Sequence, residues 1–281
     1  MSLPALPLIL GKEVSGIIEA VGPDVSKFKE GDHVTCCLPG NGGYADYVTC
    51  EQNRLISIPS NISYVQSSCL YVSYFAAIRA LITKCKIKKG ELLLVHGASG
   101  GVGTAAVQIA KSRGLTVIGT AGSKLGEEIV KKAGADLVFN HKKEGYLADV
   151  YTASGSKGFD VILENCADTN LGEDLIMLSK SGRIAIVGTR GSMKNKICRP
   201  KKVEINPRSL MFTEGSIYAA NLMKVTPEEF DEYSNIIVSG IKENWLNPIV
   251  GREFKFAQAP EAHRRIREVP AAGKLVFNVE L

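Results

Sequence analysis

A glycine-rich run directly follows a short apolar stretch, and its spacing suits the binding of a pyrophosphate. The apolar stretch is Leu92–Val95, and the run His96–Gly103 carries four glycines. In such a run the first glycine permits a tight turn and the middle ones keep side chains away from an approaching phosphate. The last glycine lets the following helix pack closely on the strand. The free N–H groups of that helix then face the anion.

The elements around this turn predict how it is held. Leu92–Val95 predicts a buried strand, Val102–Arg113 an amphipathic helix and Leu115–Gly119 a second strand. Strand, turn and helix make the first half of a dinucleotide-binding βαβ unit. Further along, we predict helices at 124–133, 144–152 and 171–180, and strands at 136–139, 159–163, 183–187 and 216–220. This alternation predicts an α/β fold with a doubly wound parallel sheet.

The chain before and after this region has a different pattern. Short stretches bounded by Gly and Pro predict an antiparallel, barrel-like unit with strands at 11–22, 42–48 and 55–59, and a turn at 29–34 that leads into another strand. Apolar spacing predicts a helix over 63–82. A helix is predicted over Pro227–Ile241, with Thr226 as its N-cap. The last predicted strand, Leu275–Val279, returns to the first unit.

Composition places the chain among ordinary globular proteins. Its 281 residues are 45% hydrophobic and 22% charged, which suffices for two domains. No apolar run reaches transmembrane length, and the first ten residues lack the basic start of a signal peptide, so we expect a cytoplasmic protein. The 7 cysteines show no C-x-x-C spacing, which indicates reduced thiols.

The net charge of +5 is concentrated in one short segment. Without that segment the remaining charges balance, so any affinity for polyanions would lie there. The bland alternative is a solvated loop with no partner. Its basic residues are Lys194, Lys196, Arg199, Lys201 and Lys202.

The type of cofactor can be argued from the end of the second strand. NAD sites usually place an acidic residue there to bind the ribose 2′-hydroxyl. Here the strand continues into Gly122-Ser123-Lys124, without an acid. Small residues leave room for a 2′-phosphate, and Lys124 and Ser123 can bind it. This favours NADP over NAD; the alternative is that Lys124 is an ordinary surface lysine.

With these features in place, the chain resembles the zeta-crystallin-like quinone oxidoreductases of the medium-chain dehydrogenase/reductase superfamily. The resemblance implies a zinc-free reductase that uses NADPH and a quinone or other small apolar acceptor. It also implies a GroES-like catalytic domain over 1–68, a Rossmann domain over 69–220 and a return to the catalytic domain over 221–281. The matching segments are 14–34, 42–47, 96–103, 119–122, 138–141, 182–191 and 204–208.

The chain departs from that family in two places. Family members carry several strands before the Gly11–Gly16 motif, so the resemblance predicts a GroES-like barrel that is N-terminally incomplete and an activity that is impaired. Ser192–Val203 is predicted to be an insertion, because the family joins its flanking segments closely.

The resemblance and the strand-end rule together give a set of expected cofactor contacts. His141 is placed against the adenosine end, with a surface-loop histidine as the alternative. No catalytic side chain is assigned. The expected cofactor-binding residues are Ser99, Gly100, Gly101, Val102, Gly122, Lys124, His141, Asn170, Val187, Gly188, Thr189, Arg190, Ala220, Asn221 and Leu222.

We predict no metal. Zinc-dependent relatives carry Gly-His-Glu where this chain has Gly11-Lys12-Glu13, and lysine is not a ligand at neutral pH. Cys36, Cys37 and Cys50 do not supply the four closely spaced cysteines of a structural zinc site. Without a metal, an acceptor that needs no polarisation, such as a quinone, fits better than an alcohol. Four tyrosines, at 44, 47, 71 and 74, line an apolar substrate cleft or are simply core aromatics.

The leading prediction is therefore an NADPH-dependent quinone reductase that forms a homo-oligomer, a dimer or tetramer, and does not bind membranes. Three alternatives stay open. The first is an enoyl or enone reductase of the same superfamily. The second is a protein that binds RNA, such as an mRNA 3′-UTR, through the dinucleotide fold and the basic segment. The third is a truncated protein that binds a nucleotide without catalysing any turnover.

Overall fold

The computed structural model describes residues 6–189 and 202–279. The strands are β1 (Glu13–Ile17), β2 (His33–Cys37), β3 (Leu55–Ser57), β4 (Leu92–Val95), β5 (Thr116–Ala121), β6 (Leu137–Asn140), β7 (Phe159–Glu164), β8 (Leu178–Ile186), β9 (Ser216–Ala219), β10 (Val250–Phe254) and β11 (Lys274–Phe277). The helices are α1 (Tyr64–Ser67), α2 (Tyr71–Ile78), α3 (Gly101–Ser112), α4 (Lys124–Lys132), α5 (Tyr146–Ala153), α6 (Ala167–Asp174), α7 (Pro207–Thr213), α8 (Pro227–Lys242) and α9 (Ala259–Glu268).

A six-stranded sheet with the order β6-β5-β4-β7-β8-β9 forms the centre of the molecule. All its pairings are parallel. The chain starts in the middle at β4, moves out to β6, then returns to β7 on the other side of β4. This order has its topological switch point between β4 and β7, where an open α/β sheet binds a ligand. The predicted doubly wound α/β sheet is confirmed.

The sheet is buried on both faces, which explains why its strands are continuously apolar. Along β4, Leu93 and Val95 face one hydrophobic cluster while Leu94 faces the other. The first cluster includes side chains of α2, α3 and α8, and the second includes Val150 of α5 and Leu175 after α6. Fully burying a side chain of this size contributes about 1.5–3 kcal/mol, so the two layers fix the sheet between helices.

The first unit is a three-stranded antiparallel sheet in the order β1-β2-β3. The predicted strand at 42–48 is wrong: this stretch forms bends and no ladder. The N–H groups of Gly42 and Tyr44 both donate to the Leu10 carbonyl, at 3.3 and 2.8 Å, and Gly42 has a φ of +115°. The segment therefore folds around Leu10, because two donors meet one carbonyl instead of an extended partner.

Two predicted helices have different bounds. The 63–82 helix is divided into α1, α2 and a π-helical turn at Arg79–Lys84. The Ser67 and Ser68 hydroxyls donate to carbonyls of the preceding turn, at Tyr64 and Val65, which competes with helix continuation. The 171–180 helix is wrong at its end: α6 stops at Asp174, and Leu178 pairs with Phe159 in the sheet.

The C-terminal part joins both units. The strand β11 pairs in parallel with β10 in a separate two-stranded sheet. Its side chains reach the first unit, because Lys274 forms an ion pair with Glu13 and the Phe277 ring lies 4.7 Å from that of Tyr44. Thr226 caps α8 as predicted, in a capping box with Glu229. The sequence did not indicate α7, β10 or α9. Among the described residues, no helix has the length and apolar character needed to cross a bilayer.

Candidate functional site

The glycine-rich turn leads from β4 into α3 and leaves its first helical N–H groups open. Gly100 is the N-cap of α3, and no side chain caps the helix. The first helical bond runs from the Thr104 N–H to the Gly100 carbonyl, at 2.9 Å. The N–H groups of Gly101, Val102 and Gly103 thus precede the helical ladder and can bind an anion.

The glycines of this turn differ in how much space a side chain would have. A Cβ on Gly103 would lie 2.5 Å from Ala98 Cα, so this glycine allows α3 to pack against the turn. A Cβ on Gly101 would lie 2.6 Å from Ser73 Oγ, on α2. At Gly100 the nearest atoms lie 3.7 Å away, so the space in front of it is open. Of the three glycines at 100, 101 and 103, Gly100 is the one that can face a ligand at little structural cost.

The adenosine end of the predicted site lies at the ends of β5 and β6. Ser123 caps α4 by accepting from the Gly126 N–H at 3.1 Å, and Lys124 follows it as an exposed first-turn residue. His141 lies against Gly122, where a Cβ would come 2.5 Å from the His141 Nε2. Burial lowers the pKa of His141, with further lowering by the charges of His96 and Lys142. Gly122, Lys124 and His141 therefore share one edge of the sheet.

The other half of the site lies across β4, at the ends of β7, β8 and β9. The Val187 and Gly188 N–H groups donate to the Glu164 carbonyl, at 2.9 and 3.2 Å. Cys166 and Thr189 form an isolated β-bridge, and a Cβ on Gly188 would lie 2.7 Å from the Asn165 carbonyl oxygen. Two loops thus pack together beside the switch point.

Three further expected residues lie near these loops. The Ala220 N–H donates to the Ile186 carbonyl at 2.9 Å, which places Ala220 beside Val187. Asn221 is exposed and caps the Leu222–Lys224 turn, with its side chain accepting from the Met223 N–H. Arg190 lies outside the described residues, as do positions 192–201 of the predicted insertion.

A buried polar cluster that the sequence analysis missed lies directly beneath these loops. The His96 Nε2 lies 2.9 Å from Asp174 Oδ1 and 3.9 Å from Glu164 Oε2, and all three side chains are at most 1% exposed. Glu164 also accepts from the Cys166 N–H and, at 3.1 Å, from Asn170 Nδ2. The sequence signal was an acid at the end of the apolar strand Val161-Ile162-Leu163-Glu164.

The burial of this cluster changes its acid–base behaviour. Burial raises the pKa of Glu164 to about 7; nearby His96 opposes the rise and Asp174 adds to it. Burial likewise raises the pKa of Asp174 to about 7. Burial lowers the pKa of His96, so the neutral imidazole is favoured. Two carboxyls that resist ionisation therefore lie side by side in the interior.

The side chains at the zinc position of the dehydrogenases, Lys12 and Glu13, are not suited to bind a metal ion. Lys12 is exposed, and the Glu13 carboxylate is already paired with Lys274 and accepts from the Val72 N–H at 2.7 Å. Among the described residues, His96, Glu164 and Asp174 have ligand atoms within 4.8 Å of one another. The hydrogen bond between His96 and Asp174 and the raised pKa values of Glu164 and Asp174 are those of a cluster that holds a proton, so we do not assign the three residues as metal ligands.

The four tyrosines have different surroundings. Tyr74 is buried and its hydroxyl donates to Gln108 Oε1 at 2.7 Å, while Tyr71 stacks on Phe75. Tyr44 packs against Phe277, and Tyr47 is 76% exposed. Tyr74 is a core aromatic, and Tyr71 packs against the core while partly buried.

Comparisons with known proteins agree with this architecture. A family model for the alcohol dehydrogenase GroES-like domain matches residues 1–60, and one for zinc-binding dehydrogenases matches residues 101–239. The chain is 43% identical to a quinone oxidoreductase of Rattus norvegicus over 97% of this chain and 79% of the relative. It is 40% identical to the Homo sapiens quinone oxidoreductase over 98% of this chain and 80% of the relative. The structure of an Escherichia coli quinone oxidoreductase complexed with NADPH superimposes with a TM-score of 0.83 at 26% identity, covering 98% and 84% of the two chains.

Proposed function

The chain belongs to the quinone oxidoreductase family of the medium-chain dehydrogenase/reductase superfamily, and from this premise we propose that it reduces quinones with NADPH. The observation that carries the cofactor part is the end of β5, where Ser123 and Lys124 open α4 without an acidic residue. A lysine there attracts a 2′-phosphate, whereas NAD sites use a carboxylate to bind a ribose hydroxyl.

The described residues fit this cofactor along the whole sheet edge. The open N–H groups of α3 bind the diphosphate, and Lys124 and His141 bind the adenosine end. Asn170 and the 187–189 loop follow β7 and β8, on the other side of β4, and we assign them to the nicotinamide end. When bound, NADPH supplies the hydride, and the protein positions it. We extend this proposal to all fifteen residues expected from the sequence, Arg190 included.

The acceptor class rests on the relatives and on the donor set at Lys12 and Glu13. Both relatives named above are quinone oxidoreductases. Among the described residues, Lys12 does not ligate metals at neutral pH and Glu13 is paired with Lys274, so these two side chains do not suit a Lewis acid at the dehydrogenase zinc position. A quinone accepts a hydride without such polarisation, which an alcohol–carbonyl pair usually needs.

Titration with NADPH and NADH, followed by turnover with a quinone, tests the proposal. We expect NADPH to bind more tightly and the quinone to be reduced. Equal affinities for the two cofactors would overturn the cofactor assignment. Reduction of an enoyl thioester but not of a quinone would replace the acceptor class by that of the enone reductases. Binding of NADPH without turnover of either acceptor would leave a nucleotide-binding protein.

We also propose a domain division and a homo-oligomer. Residues 1–68 and 221–281 are assigned to the catalytic domain, and 69–220 to the cofactor domain. β9 is an edge strand of the six-stranded sheet, and exposed apolar side chains occur in β9 and in the segments just before and after it in the chain, which suits pairing with a second copy. Light scattering should show a dimer or tetramer, and Tyr218→Lys should dissociate it while Ile176→Lys, an exposed position between α6 and β8, should not. The apolar side chains are Met211, Phe212, Tyr218 and Met223.

RNA binding by the basic segment 192–203 stays a prediction from the sequence. Of its basic residues, Lys202 alone lies in the described part of the chain. Binding driven by this segment would weaken steeply with salt, because each phosphate contact releases counterions. Deletion of residues 193–202 should abolish it and leave NADPH binding nearly intact. Equal RNA binding by the deletion variant at the same salt would contradict this prediction.

A further inference from the structure

The buried cluster of His96, Glu164 and Asp174 has no role in the function proposed above, yet one of its members contacts an expected cofactor residue. Both oxygens of the Glu164 carboxylate accept hydrogen bonds, one from the Cys166 N–H and the other from Asn170 Nδ2. Asn170 is itself 9% exposed. Its amide nitrogen is therefore held on the Glu164 side, and the amide oxygen is the end that can accept a ribose hydroxyl.

Two full negative charges in this buried cluster would be energetically unfavourable. One ring nitrogen of His96 and one carboxylate oxygen each of Glu164 and Asp174 lie within 4.8 Å of one another, and the three side chains are at most 1% exposed. Asp174 Oδ2 and His96 Nδ1 are buried without a hydrogen-bond partner among the described residues. With a neutral His96, one proton held by the cluster leaves one negative charge instead of two, and the unpartnered Asp174 Oδ2 is the atom free to carry it.

We propose that Glu164 is a positioning residue for the cofactor, and that the proton held with Asp174 keeps its carboxylate oriented toward Asn170. Loss of this proton to solvent above neutral pH places two carboxylates side by side, and their repulsion displaces Glu164 from Asn170 and from the Cys166 N–H. NADPH affinity then falls as pH rises. This inference rests on the proposed NADPH-binding function.

Other ionisable groups face the cluster and must be separated from it. Besides burial, the charge of Glu173, on α6, raises the pKa of Asp174. The pKa of Tyr146, on α5, is raised by burial and further by the charges of Glu164, Asp174 and Cys166. The pKa of His141, after β6, is lowered by burial and further by the charge of His96, and His141 also lies at the proposed adenosine end of the site. Protonation of His141 would strengthen phosphate binding at low pH in the same direction, so a control is needed.

Two isosteric variants provide that control, because each removes one carboxylate. In Asp174→Asn, Glu164 keeps both acceptor oxygens and the second charge is gone at every pH. In Glu164→Gln, a donor NH2 replaces one acceptor oxygen, so the side chain can no longer accept from both Asn170 and the Cys166 N–H, and its hold on Asn170 is weakened. A purely structural or electrostatic role predicts similar behaviour for both variants.

The experiment measures the Kd of NADPH by fluorescence between pH 6 and pH 9 for the parent and the variants. For the parent, we expect Kd to rise on the order of tenfold through pH about 7, as for the loss of one hydrogen bond to a polar ligand. Asp174→Asn should bind NADPH with no such step, although His141 is unchanged. Glu164→Gln should bind weakly at every pH.

Asn170→Ala extends the test and does not depend on Glu164→Gln folding. It should bind weakly and lose the pH step, and the double variant with Glu164→Gln should be no weaker than either single variant. The probe 2′,5′-ADP, which lacks the nicotinamide half, should show no step sensitive to Asp174→Asn.

Several results would overturn the inference. They are a step that persists in Asp174→Asn, equal behaviour of the two isosteric variants, additive losses in the double variant, or a step that a chelator such as EDTA shifts. Failure of the parent to bind NADPH at any pH would instead contradict the proposed function, so the two failures are distinguishable.

Discussion

At position 124 a lysine occupies the place where NAD enzymes put a carboxylate, and its side chain is exposed with no ion pair among the described residues. Lys124→Ala should weaken NADPH binding about 10- to 100-fold and leave NADH binding nearly unchanged, because one charge-assisted contact to a phosphate is lost. Fluorescence titration with both cofactors measures this. Lys124→Arg keeps the charge and should keep the preference; equal losses for both cofactors would show that Lys124 is an ordinary surface lysine.

The ion pair between Glu13 and Lys274 joins the first unit to the last strand. Its side chains are 14% and 25% exposed. Glu13→Gln should lower the free energy of unfolding by about 1–3 kcal/mol, because a half-buried ammonium loses its counter-charge. Urea unfolding measures the change. Lys12→Met, at the exposed neighbouring position, is the matched control and should change stability by less than about 0.5 kcal/mol. Equal effects of the two substitutions would mean that the pair adds nothing.

At the scale of the element, the turn between β4 and α3 separates binding from packing. A Cβ on Gly100 would have its nearest neighbouring atoms 3.7 Å away, whereas a Cβ on Gly103 would lie 2.5 Å from Ala98 Cα. Gly100→Ala should keep the melting temperature and weaken NADPH binding by about an order of magnitude, because the methyl group blocks the diphosphate. Gly103→Ala should instead lower stability, by about 1–3 kcal/mol, because α3 must move.

Thermal melts and cofactor titrations of both variants test this division. A Gly100→Ala protein that binds NADPH normally would mean that the diphosphate does not approach this residue. The contact of Gly101 with Ser73, at 2.6 Å from a Cβ, makes substitution there a poor probe, since binding and packing would both change.

At the scale of the whole molecule, the buried carboxyls make stability depend on pH. The pKa of Glu164 and of Asp174 is raised to about 7, from ordinary values of 4.5 and 3.8. Between those values the folded chain binds more protons than the unfolded chain, so the free energy of unfolding falls as pH rises toward about 7 and then levels off. Urea unfolding at several pH values measures the slope.

Asp174→Asn is the test of that slope. It removes one of the two raised carboxyls, so stability should fall less steeply between pH 5 and pH 8 than in the parent. An unchanged slope would assign the pH dependence to other groups. The measurement needs no cofactor and is independent of the binding experiment above.

The sequence by itself determined the α/β alternation, the turn at 97–103, the absence of an acid after β5 and the N-cap at Thr226. Each of these depends on local signals: continuous apolar runs for strands buried on both faces, glycines at fixed spacing, and capping side chains. The family could also be identified from such segments, because they occur together over most of the chain.

Only the tertiary structure decided the rest. Residues 42–48 have strand-like alternation, but two of their donors meet the Leu10 carbonyl and no ladder forms. Leu178 follows a helical pattern, but pairing with β7 takes it into the sheet. The buried cluster brings His96 onto Asp174, 78 positions later in the chain, with Glu164 beside them. Local patterns specify which face of an element is apolar, whereas the partners of a buried polar group depend on which strands become neighbours.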